Sequence, residues 1–272
     1  MNSGSHARSE PSTANGLFGK VAIVTGASRG IGRSVAHDLA REGVRVMLTA
    51  RDPVQLNQAV AEIESVGGTA ACAVFDLREP AAPGHLVERT ITAFGAIDIV
   101  INNAGATKRG EFLDLTEEDW CDGFALKFFG AVRLIKAAWP HLKARNGSVL
   151  NIAGIGGRSP GPQFAIGGAV NAALLSLTKS LADLGIQDGV QVNAVNPGPV
   201  RTERLNRRLE VLATEHGIDV AGAADLMVKE AQITRLGEPE DIAHLVTFIV
   251  SPQGRLLQGA LIDMDGGSTK TI

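Results

Sequence analysis

From Lys20 onward, short apolar runs rich in β-branched residues alternate with longer stretches whose apolar positions recur every three or four residues. The short runs predict strands: KVAIVT (20 to 25), VRVMLT (44 to 49), TAACAVF (69 to 75), AIDIVI (96 to 101), GSVLNI (147 to 152), VQVNAV (190 to 195) and ALIDM (260 to 264). The amphipathic stretches predict helices near 30 to 42, 54 to 65, 80 to 94, 117 to 144, 164 to 185 and 239 to 250. Strands that are apolar on both faces need helices on both sides, so the fold class is α/β, with a doubly wound seven-stranded parallel sheet. Residues 199 to 236 interrupt the rhythm with two extra helical pieces, TERLNRRLEVLATEHG and AGAADLMVKEAQ. An insertion at this place lies over the ligand crevice of an open sheet and is expected to act as a lid. The polar start, residues 1 to 18, is expected to be a disordered tail, and residues 19 to 272 a single domain.

With 272 residues and 44% apolar content, the chain can bury the core of one large domain. A formal charge of -3, with both signs well mixed, argues against a nucleic-acid partner. Cys72 and Cys121 make neither a disulfide framework nor a metal-ligand spacing, so no metal is expected and a reducing cytoplasm is the expected setting. No apolar run looks long enough to span a bilayer, and the start lacks the apolar segment of a signal peptide, so no membrane association is expected.

Two glycine features need explanation. The first strand runs directly into GASRGIG and then a helix, placing Gly26, Gly30 and Gly32 in a strand-to-helix elbow. Glycines there let backbone approach a phosphate, and free N–H groups at the helix start face the anion. The second is the pair Gly167 and Gly168 in the first turn of the helix near 164 to 185, where each glycine costs about 1 kcal/mol relative to alanine.

TGASRGIG (25 to 32), NNAG (102 to 105), NPGPVRT (196 to 202), RLGEPEDIAHLVTFIVS and MDGG occur in the order seen in the short-chain dehydrogenase/reductases, which the chain resembles over residues 19 to 268. The resemblance implies a three-layer Rossmann fold, a nicotinamide cofactor, a small-molecule substrate and a homodimer or homotetramer built through the long helices and the last strand. It also implies the cofactor residues. Thr25, Gly26, Ser28, Arg29, Gly30, Ile31 and Gly32 form the cradle, and Asp76 and Leu77 touch the adenine. Asn102, Ala104 and Gly105 line the cofactor, Pro197, Gly198 and Val200 also bind it, and Thr202 meets its nicotinamide end. At the end of the second strand stand Ala50 and Arg51 rather than a carboxylate. Arg51 and Arg29 together suit a 2′-phosphate, which favours NADP(H) over NAD(H), with Asp52 a mild counter-argument.

The family's proton chemistry uses Tyr and Lys in Y-x-x-x-K, a Ser and an Asn. Counted from GSVLNI, the Ser position is Gly154; counted back from LTKSLA, Lys falls at Asn171 and Tyr at Gly167. From Trp120, the Asn position is Lys127. The chain contains no tyrosine at all, so the ordinary Tyr-based catalysis is not available to it. Two readings stay open. Lys127 and Asn171 look like an exchange of the family's Asn and Lys, and a desolvated Lys127 could donate a proton, directly or through water in the space left by Gly154 and Gly167. Alternatively, the chain is an NADP(H)-binding pseudoenzyme, a redox sensor or a structural partner. Lys108, Arg109, Arg158, Arg201 and Arg204 fall on loops or the lid near the crevice, making an anionic substrate one option, while Arg207 and Arg208 read as a solvated helix face. His85, His141 and His244 read as surface or packing residues, and Phe164 as a core or cavity-lining ring.

Overall fold

The structure, a computed structural model, describes residues 16–270. Seven parallel strands are ordered β3-β2-β1-β4-β5-β6-β7. They are β1 (Val21–Thr25), β2 (Arg45–Ala50), β3 (Thr69–Val74), β4 (Ile99–Asn102), β5 (Ser148–Ile152), β6 (Gln191–Pro197) and β7 (Leu261–Met264). Strand order reverses between β1 and β4, and this is where an open α/β sheet leaves a crevice at its strand C-termini.

Alternate residues of each strand feed two cores. Ala22, Val24, Val46, Leu48, Ile99 and Ile101 meet α1 (Gly30–Arg41), α2 (Pro53–Ser65) and α9 (Pro239–Val250). Ile23, Met47, Ala73 and Val100 face α3 (Ala82–Phe94), α5 (Gly130–Ala144) and α6 (Ala165–Asp188) on the other side. The period of two in the strands thus becomes two buried layers, as the sequence pattern requires.

Four features depart from the sequence expectations. Leu17 is 2% exposed and belongs to the core, so ordered packing starts inside the expected tail, whose residues 1–15 lie outside the described residues. The helix expected over 117 to 144 is divided into α4 (Glu117–Phe124), a π-helical turn over Ala125–Phe129, and α5. The stretch Pro162–Asp188, which contains α6, is long and apolar enough by composition to cross a membrane, with mean hydropathy 1.3. Here it is a covering helix of the sheet: Leu174 and Leu175 pack with Ala194 of β6, and Ala182 with Val192. The fourth concerns the glycine pair at its start. A Cβ on Gly168 would come 2.8 Å from Pro160 Cβ, and one on Gly167 would fall within the ring of Phe164. Both glycines therefore admit the segment just before the helix, which folds back onto its first turns.

The expected lid consists of α7 (Glu203–His216) and α8 (Val220–Ala231). Leu205, Leu209, Ala213, Ala223, Met227 and Leu236 form a small core of their own. Thr202 caps α7 by accepting from the Leu205 N–H at 3.4 Å, which fixes the start of that helix beside the glycine loop.

Candidate functional site

The glycine loop is shaped by close approach. Gly26 has φ +65°, and a Cβ on Gly32 would collide with the Gly26 carbonyl and the Asn103 side chain. Asn103 is the brace: its Nδ2 donates to the carbonyls of Thr25 and Gly26 at 3.0 and 3.2 Å. Thr25 Oγ1 in turn accepts from the Asn103 and Ala104 N–H groups at 2.9 and 3.0 Å. A loop held so firmly at the start of α1 presents backbone N–H groups to an anion with little rearrangement. Ser28 is buried and Ile31 packs against the core, while Gly30 lies against Thr202, so the N-cap of α7 adjoins the loop.

The Asn102 side chain is turned into the protein interior. It is buried and donates to Asn151 Oδ1 at 2.9 Å; Asn151 donates to Thr178 Oγ1, and Thr178 to the Leu174 carbonyl. This chain of amides ties β4, β5 and α6 together. The residue that reaches the loop is Asn103, which the sequence reading passed over although it lies within the same NNAG motif.

Around the end of β2, Arg51 is 65% exposed and its Nη1 is 3.6 Å from Asp76 Oδ2. Asp76 also accepts from the Arg78 N–H at 3.0 Å, and Arg78 is paired with Asp122. Asp52 caps α2, accepting from the Val54 and Gln55 N–H groups at 2.9 and 3.1 Å. Its Oδ1 therefore serves the helix start. Arg29 reaches Glu203 of α7 at 2.8 Å. Leu77 is buried with its carbonyl near Gly130, and Gly198 is pressed against Asp265. Pro197 ends β6, and Val200 is buried and bridges to Gly237. A cleft of about 450 Å³ between α1, α7 and α9 is lined by Arg29, Arg201, Thr202 and Glu203, but not by Lys127 or Asn171.

Lys127, carried by the π-helical turn, meets Asn171 of α6: Nζ donates to Asn171 Oδ1 at 2.6 Å and to the Ala153 carbonyl at 2.5 Å. Its stem passes over Gly105, where a Cβ would lie 2.8 Å from Lys127 Cδ. Burial, and secondarily the charge of Arg204, push the ammonium down to about 7. Two N–H bonds are committed to oxygen acceptors. The third position carries a proton when the amine is charged and a lone pair when it is neutral, so this group can exchange a proton near neutral pH.

Gly154 also adjoins Asn171 here, but Gly167 does not leave the open volume expected of it. Gly154 has φ +131°, a backbone conformation that disfavours any side chain, and a Cβ added there would lie 3.1 Å from Asn171 Nδ2. The Phe164 ring covers Gly167 and Gly156, and the Arg109 guanidinium carbon lies 4.0 Å from the ring centroid. Water therefore does not fill the space over Gly167.

Residues 26–269 match a family model described as Enoyl-(Acyl carrier protein) reductase. An uncharacterized oxidoreductase of Mycobacterium tuberculosis is 34% identical over 93% of both chains. L-sorbose reductase of Gluconobacter frateurii, solved with NADPH and L-sorbose, superposes with a TM-score of 0.90 at 31% identity, covering 94% of this chain and 98% of its own. A short-chain dehydrogenase of Burkholderia cenocepacia in complex with NADP gives 0.79 at 31% identity, with coverage of 93% and 98%. A seven-stranded doubly wound sheet, a glycine elbow at its switch point and full-length similarity lead to one conclusion: the chain belongs to the short-chain dehydrogenase/reductase family.

Proposed function

We propose that this protein is an NADP(H)-dependent oxidoreductase acting on a small molecule, with Lys127 in place of the family's tyrosine as proton donor. The observation that carries the reading is the Lys127 ammonium, seated between Asn171 Oδ1 and the Ala153 carbonyl and titrating near 7. A donor whose pKa lies near the working pH is best placed to give and regain a proton. Reduction uses the charged form and oxidation the neutral one.

The residues present fit NADP(H). Gly26, Gly30 and Gly32 form a cradle that a Cβ would fill at Gly32, with Thr25, Ser28, Ile31 and Ala104 as its walls. Arg51 and Arg29 would hold the 2′-phosphate, Arg29 exchanging its contact with Glu203 for one with the phosphate. Asp76 and Leu77 would take the adenine, and Gly105, Pro197, Gly198, Val200 and Thr202 the nicotinamide end. When bound, the cofactor supplies hydride chemistry. Two structural relatives that hold NADPH or NADP support this choice.

On this reading the four family positions Ser, Tyr, Lys and Asn are Gly154, Gly167, Asn171 and Lys127. The competing reading is a cofactor-binding protein without turnover, and the Phe164 ring over Gly167 is the observation that favours it. Mixing the protein with NADPH and a panel of aldehydes, ketones and enones separates the two: consumption that Lys127→Met abolishes without weakening NADPH binding supports the enzyme. A homodimer or homotetramer is part of the same reading, and the exposed Phe129 near α5 and Leu184 and Ile186 on α6 support it. Light scattering at micromolar concentration tests it.

A further inference from the structure

The five cations near the crevice are not equivalent. Lys108 pairs with Asp119 at 2.8 Å, Arg158 with Asp263 at 2.7 Å and Arg201 with Glu238 at 3.3 Å. Arg109 and Arg204 have no ion pair to a carboxylate among the described residues. Arg204, in the first turn of α7, donates through Nη2 to the Gly105 carbonyl at 2.7 Å. The Lys127 stem lies against the same Gly105, so Arg204 and Lys127 meet at one residue. Arg109, in the loop after β4, has its guanidinium carbon 4.0 Å from the centroid of Phe164, the ring that covers Gly167.

These cations feel each other. Partial burial and then the charges of Arg208 and Arg204 hold the Arg109 guanidinium below the ordinary arginine range. The charge of Arg204 likewise bears on Lys127. Glu203 pairs with the neighbouring Arg29 and Arg207 and not with Arg109 or Arg204; like charges so gathered repel one another, and an anionic ligand relieves that repulsion. A guanidinium has five donors in a fixed fork, and Arg204 commits only Nη2 to the Gly105 carbonyl. Contact with the Phe164 ring holds the Arg109 fork in place before any ligand arrives.

Resting on the oxidoreductase reading above, we propose that the site selects a carbonyl substrate bearing an anionic group, carboxylate or phosphate, which Arg109 and Arg204 clamp beside Lys127. Phe164 serves as the platform that orients Arg109. Both anions suit a guanidinium fork, and matched probes distinguish them.

The test compares levulinate with 2-pentanone, and dihydroxyacetone phosphate with dihydroxyacetone, by NADPH consumption in the unmutated protein, Arg109→Met and Arg109→Lys. An anionic member preferred by about tenfold or more in kcat/KM, through KM, with the preference lost in Arg109→Met and partly kept in Arg109→Lys, supports the clamp. Equal kcat/KM within each pair overturns it while leaving the oxidoreductase standing. A loss of NADPH affinity in Arg109→Met as large as the loss of substrate affinity also overturns it, because the charge would then serve the cofactor. Should no probe turn over, calorimetric titration of the NADP-saturated protein with levulinate and inorganic phosphate decides. Binding that Arg109→Met weakens supports the clamp and counts against turnover, and no binding of either anion overturns the clamp.

Discussion

Lys127 and Asn171 stand 44 positions apart in sequence, yet the ammonium of one donates to the side-chain oxygen of the other at 2.6 Å. The pair joins the π-helical turn after α4 to the first turns of α6. A π turn holds one residue more than the α-helix it interrupts and frequently marks a functional position.

Burial of this lysine has a consequence for stability. An ordinary lysine titrates at 10.5 and Lys127 near 7, so between these values the unfolded chain carries a proton that the folded one lacks. The contribution of Lys127 to stability therefore rises with pH through that window, and its penalty is complete below it. Lys127→Met removes the titrating part and leaves a pH-independent loss of two hydrogen bonds. Urea unfolding near pH 6, 8 and 10 should show the variant's stability relative to the parent falling as pH rises. A constant difference would show that Lys127 does not titrate there.

Cofactor choice rests on Arg51. NADPH should bind more tightly than NADH, and Arg51→Ala should reduce NADPH affinity by about 1.5–3 kcal/mol, the range for hydrogen bonds to charged groups, while leaving NADH nearly unchanged. Fluorescence titration with both cofactors measures this, and equal affinities in the unmutated protein would remove Arg51 from the account.

Asn103 holds the glycine loop by two carbonyls that have few alternatives. Asn103→Ala should lower stability by about 1–3 kcal/mol and weaken NADPH binding, because the cradle loses its brace. Asn102→Ala should instead affect stability with little direct effect on the cofactor, since Asn102 serves the internal amide chain. Chemical denaturation and cofactor titration of both variants distinguish the two neighbours.

Phe164 and Gly167 form a couple that a double-mutant cycle can expose. Gly167→Ala places a methyl group in the ring, and overpacking of this kind costs about 1–3 kcal/mol. In a Phe164→Ala background the same change should gain up to about 1 kcal/mol from helix propensity. If Gly167→Ala has the same effect in both backgrounds, the ring does not occupy that space.

The strands were legible because apolar β-branched runs between turn residues leave little choice, and their ends shift by no more than a few residues in the structure. Counting from two sequence anchors also brought Lys127 and Asn171 to one place. Three things were not legible. The π turn, across which the rings of Phe124, Phe128 and Phe129 contact one another edge to face, is not encoded in helical periodicity. Phe164 folds back onto the turn that follows it, so an apparently empty glycine is a covered one. The pairing of Lys108, Arg158 and Arg201 with acids depends on loop paths, so of five similar cations in sequence two are left without a carboxylate partner among the described residues.

The most direct test of a lysine proton donor is NADPH consumption by the unmutated protein, with carbonyl substrates, followed from about pH 5 to 9. Reduction should hold a plateau at low pH and fall about tenfold per unit above a pKa near 7, as the donor loses its proton, and Lys127→Met should abolish it while still binding NADPH. A protein that binds NADPH but consumes none at any of these pH values, or a Lys127→Met variant with the parent's rate and pH profile, would contradict it.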